Sequence, residues 1–168
     1  MLQLAYKGDE GIPPIRSPLE AVFEQHNGMV FRTAYRITGN AADAEDVLQT
    51  VFLRMLRRDD SAAELQNAES YLRRAAINVS LDILRERQSR QAKASEAPVP
   101  AGSVDPELRH ALRDALATLD SRQAEMFVLR FFEGYSNAEI AHLLGVNKLL
   151  VAVTIHRTRQ RLQKQLHF

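Results

Sequence analysis

From Lys148 to Phe168 the chain carries five Lys/Arg and no Asp or Glu. Such a run can neutralise phosphates and release the counterions condensed on a nucleic acid. By itself it fits a solvated basic helix equally well. The start of the same stretch, Leu149-Leu150-Val151-Ala152-Val153, has a different chemistry, with no charge in it. Val151, Ile155, Thr158 and Leu162 fall at i, i+4, i+7 and i+11, the spacing of one buried helical face. Leu149 and Val153 form an i,i+4 pair on another face, continued by His156 and Gln160. His156 has no Cys or carboxylate close by in sequence and reads as a polar surface residue, not as a metal ligand or pH switch. A second polar group is Asp43, Glu45, Asp46 and Gln49. Asp46 and Gln49 lie off an apolar stripe of Val47, Leu48, Val51, Phe52, Met55 and Leu56, and Leu53 continues their line. Acidic residues in a first helical turn also complement the helix dipole, so a purely structural role is available to them. A third group, Arg74, Asn78, Asp82 and Arg85, faces away from Leu72, Ala76, Val79 and Ile83.

Other chemistries are missing. There is no cysteine, which excludes disulfides, thiolate metal sites and Cys nucleophiles. No nucleophile–base pair, phosphate-cradling Gly loop or ligand cluster with metal spacing stands out. An enzyme is therefore not expected, nor a metal or cofactor. The 22 Lys+Arg nearly cancel the 21 Asp+Glu, so nucleic-acid binding would depend on local clustering. No apolar run approaches the roughly 18–20 residues of a membrane span. The N-terminus has acidic residues and prolines where a signal peptide would need an unbroken apolar run. A soluble, cytoplasmic protein without membrane insertion is the expectation.

The elements that must position these residues are helices. Ser17-Pro18-Leu19-Glu20 offers an N-cap, a first-turn proline and a capping-box Glu. Gly39 can end that helix and Asn40 can cap the next. A polar stretch, Asp59 to Glu69, precedes the helix of "YLRRAAINVSLDILRER". From Ser89 to Asp105, Ala, Ser and Pro dominate without periodicity, as in a linker. Asp105-Pro106 restarts helical patterning, and Leu108, Leu112, Leu116 and Leu119 form a stripe. After the bulky run of Met126, Phe127, Leu129, Phe131 and Phe132, Ser136 to Glu139 is a second capping box. It opens a short helix ended by Gly145, and Asn147 can cap the last helix. A short helix, a Gly turn and a longer basic helix is the helix-turn-helix plan, in which the longer helix enters the major groove. The reading is all-α: two small helical domains, 18–88 and 105–168, joined by a flexible linker at 89–104, with a mobile N-terminal extension at 1–17.

"HNGMVFRTAYRITGNAADAEDVLQTVFLRML" strongly resembles region 2 of bacterial extracytoplasmic-function (ECF) sigma factors, a group of the sigma-70 superfamily. "LRDALATLDSRQAEMFVLRFFEGYSNAEIAHLLGV…HRTRQRL" resembles their region 4. The resemblance covers roughly residues 18–88 and 105–166. It implies a non-enzymatic factor that binds core RNA polymerase, recognises promoter elements near −10 and −35, and opens the duplex at −10. It further implies that Asp46, Gln49 and Leu53 meet the clamp coiled coil of the polymerase's largest subunit. It places Asn78 near the flipped −10 base, where its amide can read a base edge while Arg73, Arg74, Arg85 and Arg87 hold phosphates. The polar stretch Asp59–Glu69 corresponds to the base pocket, and Tyr71 stands where the family commonly has Trp. An anti-sigma factor is a further implied partner.

The last helix departs from that pattern. The family places Gly-Thr-Val, a basic residue, Ser and Arg where this chain has Leu149, Leu150, Val151, Ala152, Val153 and Thr154. The −35 contacts would then come from Lys148, Leu149, Leu150, Val153, Thr154, His156, Arg157 and Arg159. Three accounts of the apolar face stay open: thymine methyl contact with phosphate contacts around it, a protein interface, or loss of −35 reading. The last would leave a sigma-like adapter acting through protein contacts.

Overall fold

The computed structural model describes residues 17–58, 67–93 and 105–167. The expected N-terminal extension up to residue 16, most of the expected base-pocket stretch (59–66) and residues 94–104 of the expected linker lie outside the described residues. The described residues form seven α-helices and no strand: α1 (Pro18–Thr38), α2 (Ala41–Arg57), α3 (Ala68–Lys93), α4 (Pro106–Ala117), α5 (Ser121–Phe131), α6 (Asn137–Leu144) and α7 (Lys148–Gln165).

Local chemistry sets most of the boundaries. The Ser17 hydroxyl accepts from the Glu20 amide while the Glu20 carboxylate accepts from the Ser17 amide, closing the capping box. Gly39 ends α1 in the left-handed conformation, φ 67°, which a Cβ would strain. Asn40, Asp105, Asp120 and Asn147 each accept a backbone N–H in the first turn of the helix they cap. α3 runs to Lys93, several residues past the start of the sequence-read linker, because Ala, Gln, Arg and Lys there favour helix and no Gly or Pro stops it.

α1, α2 and the first face of α3 enclose Val30, Ala34, Val47, Val51, Phe52, Met55, Leu72, Ala76 and Val79. Leu56, which the periodicity assigns to this core, is 59% exposed near the end of α2. α5, α6 and α7 enclose Met126, Val128, Leu129, Ile140, Val151, Ile155 and Leu162. These two clusters are not separated by open solvent. Ile77, Leu81 and Leu84 of α3 are buried within the second cluster, together with Ile37 of α1. α3 is thus buried on two faces, and the C-terminal domain packs directly on the N-terminal one. Each such Leu or Ile contributes about 1.5–3 kcal/mol when fully removed from water.

Candidate protein and nucleic-acid interfaces

Three surfaces carry the residues singled out from the sequence. The first is a groove of about 460 Å³ between α2 and α3. Asp46, Gln49 and Leu53 line it from α2, and Asp82, Ile83 and Glu86 line it from α3. Leu53 is 49% exposed, so its apolar surface faces the groove instead of the core. The α3 carboxylates were not read as part of this surface. In sequence, Asp82 and Glu86 look like counter-charges to nearby arginines, and Asp82 does accept from Arg85 at 2.9 Å. Only the packing of α3 against α2 adds them to the surface of Asp46. The groove offers an apolar floor of Leu53, Val79 and Ile83 and a rim of three carboxylates with Arg54 among them.

The second surface is the side of α3 that faces the C-terminal domain, and here Arg73, Arg74 and Asn78 are already engaged. Arg73 donates to Glu69 on its own helix at 2.8 Å and pairs closely with Glu133, just after α5. Glu133 also accepts from Thr33 at 3.2 Å and from Arg36 at 3.1 Å, and its side chain is 1% exposed. Arg74 donates to buried Glu125 of α5 at 2.8 Å, and Asn78 donates to the same oxygen at 3.4 Å. Burial penalises the Arg73 charge, but its bonds to Glu69 and Glu133 and the fields of Tyr135 and Glu133 outweigh that and hold its pKa above the ordinary value. The guanidinium also lies over the Tyr135 ring, 5.7 Å from the centroid. Burial pushes the Tyr135 phenol up. Arg85 donates to the Leu119 carbonyl at 3.4 Å, and Arg87 pairs with Asp43 of α2. Tyr71 carries the Arg58 guanidinium over its ring at 5.2 Å.

Arg113 of α4 closes the other end of the domain contact, donating to the Ile37 carbonyl at 2.9 Å. Its pKa is lowered, first by burial and then by Arg109 and Arg87. Sequence reasoning missed Glu125, Glu133 and Arg113 as domain-joining residues. Glu125 in the middle of a helix whose neighbours are all buried is the one signal that could have found the first of them.

The third surface is α7. α6 and α7 are joined through Gly145, φ 63°, and the chain bends by 112° between them, within the helix-turn-helix range. Val151, Ile155, Thr158 and Leu162 are buried, as their spacing requires. Lys148, Leu149, Leu150, Val153, His156, Arg157 and Arg159 are exposed, while Thr154 is half-buried.

Residues 22–90 match the family model for Sigma-70 region 2, and residues 109–162 match that for Sigma-70, region 4. Over 142 residues the chain is 34% identical to the RNA polymerase sigma-E factor of Streptomyces avermitilis, covering 82% of this chain and 78% of that protein. Over 171 residues it is 36% identical to the ECF RNA polymerase sigma factor SigE of Mycolicibacterium smegmatis, covering 95% of this chain and 64% of that one. The chain belongs to the ECF group of the sigma-70 family. Its fold is similar to that of the Bartonella quintana sigma factor RpoE, solved in complex with the anti-sigma factor NepR, with a TM-score of 0.52 over 88% of this chain and 96% of that one, at 20% identity. ECF sigma factors are promoter-recognition proteins for RNA polymerase and not enzymes, and the relatives' names favour that role over the adapter alternative. No single helix among the described residues of this sigma factor is long and apolar enough to cross a membrane.

Proposed function

We propose that this sigma factor docks on core RNA polymerase through the α2–α3 groove, with the clamp coiled coil of the largest subunit as the occupant. The observation that carries this reading is the meeting of Asp46, Gln49 and Leu53 with Asp82 and Glu86 around one groove. An apolar floor with a rim of three carboxylates and one arginine suits an amphipathic helical partner whose flanks are mainly basic. Arg73, Arg74, Asn78 and Arg85 are the −10 residues of this reading, and α7 is the −35 element. Because Arg73, Arg74 and Asn78 are paired with Glu125 and Glu133, the two domains part before α3 meets DNA, and phosphates then replace the carboxylates as partners of the arginines. An anti-sigma factor, the partner carried by the Bartonella protein, belongs to the same reading, as does a cytoplasmic location beside the polymerase.

Run-off transcription with purified core polymerase and a genomic fragment library tests it. The expected result is start sites that share one upstream and one downstream element and that disappear when the chain is omitted. Transcripts with no common element would sink the reading.

A further inference from the structure

The exposed apolar face of α7 is not accounted for by the fold. Leu149 is 70% exposed, Leu150 48% and Val153 38%, while the same helix already has a complete buried stripe. Helical geometry puts Leu149 and Val153 opposite that stripe, in the first two turns of the helix. Viewed down the helix axis, Arg157 and Arg161 lie to one side of them and Lys148 and Arg159 to the other; all four are exposed, and the three arginines follow about one to two turns beyond Val153. No Asp or Glu lies between Lys148 and Phe168. The face therefore starts apolar, continues through His156 and Gln160, and has exposed cations to either side.

That arrangement selects its occupant. Cations to either side call for a polyanion, and the apolar start of the face calls for an apolar group opposite it. Duplex DNA offers both: phosphates line the major groove, and the thymine C5-methyl is the apolar group that its base edges present there. Three side chains are far too few to form the roughly 1,200–2,000 Å² interface of a stable protein complex, and a second copy of this face would bring like charges together. Over Leu149 to Val153 no side chain can donate or accept a hydrogen bond, so this first part of the face can meet a base edge only through apolar contact, and polar reading is left to His156 and Gln160 further along it.

Resting on the reading that α7 enters promoter DNA, we propose that Leu149 and Val153 determine specificity by packing on thymine C5-methyl groups, so that the upstream element is chosen by its methyls. Lys148, Arg157, Arg159 and Arg161 grip the phosphates on either side. Leu150, on the Arg157 side of the helix, extends the apolar strip toward one strand.

The test removes only the methyl. Promoters mapped by run-off transcription are rebuilt with single upstream thymines replaced by deoxyuridine, and binding of the holoenzyme is measured. One or two positions are expected to lose about fourfold each. The Leu149→Ser/Val153→Ser chain, in holoenzyme, is expected to bind thymine and uracil promoters alike, with its melting temperature within about 2 °C of the parent because both side chains are exposed. Equal binding of both DNAs by the parent holoenzyme overturns the proposal while leaving α7 as a DNA-binding helix, and that arm needs no protein variant. A large drop in melting temperature overturns it by showing core residues. Loss of self-association in the double variant, without thymine sensitivity in the parent, overturns it in favour of a second copy. Promoters whose binding is indifferent to deletion of the whole upstream element overturn the underlying reading as well.

Discussion

Asp46 is a side chain that the fold itself does not need. It is exposed, it is not the N-cap of α2, and the buried stripe of Val47, Val51, Phe52 and Met55 does not need it. Reversing its charge should leave folding intact and disturb only what enters the groove. Asp46→Arg is expected to weaken core-polymerase binding about tenfold or more at low salt, with an unchanged melting temperature. Titration of labelled polymerase checks this, and unaltered affinity in a folded variant counts against the groove. Glu125 and Glu133 are the contrasting case. Both are buried, and both touch arginines of the other domain, so their charge is tied to the relative placement of the domains. A buried carboxylate survives there because guanidinium and hydroxyl donors replace its lost hydration.

At the level of elements, the α6–α7 unit depends on its caps. Gly145 sits at φ 63° with nothing within 4 Å of the place a Cβ would take, so substitution meets backbone strain alone. Gly145→Ala is expected to cost about 1–2 kcal/mol, read by urea denaturation. Glu139 closes the capping box on Ser136; the Ser136 backbone N–H donated to its carboxylate, and after it the Ser136 hydroxyl, hold that carboxyl below the usual value. The folded value lies below the unfolded one, so the contribution is complete above the unfolded pKa and is lost as pH falls through the folded one. Glu139→Gln should therefore flatten part of the acid limb of the stability curve below pH ~4.5, and melting temperatures across that range check it. These caps are legible in the sequence because each is a conversation between residues two or three apart. α3 is different. Its sequence shows one apolar line, Leu72, Ala76, Val79 and Ile83, while Ile77, Leu81 and Leu84 form a second line that no single period separates from the first.

For the whole molecule, the domain contact combines an apolar face with three carboxylate-bridged side chains of α3. Removing the carboxylate charges should loosen it without touching either helical core. Glu125→Gln/Glu133→Gln is expected to raise the radius of gyration and to speed hydrogen exchange in the second half of α3, where Ile77, Leu81 and Leu84 lose their cover. Small-angle scattering and exchange mass spectrometry read the two effects, and unchanged values would mean that the apolar face alone holds the domains.

The helices, their caps, the core stripe of α7 and the unexplained exposure of Leu149 and Val153 follow from neighbours in the chain, whose side chains are placed by helical geometry alone. The family resemblance follows from the same local blocks. What the chain order does not reveal is which distant residues share a surface. Glu133 meets Thr33 across 100 residues, and Arg74 meets Glu125 across 51. Asp82 and Glu86 join Asp46 only because α3 packs on α2. Charge pairs of this kind carry no periodicity, since a carboxylate can satisfy an arginine from any direction. Tertiary packing decides which arginine it is, and here it decides that the residues expected to meet the −10 element are held by the other domain.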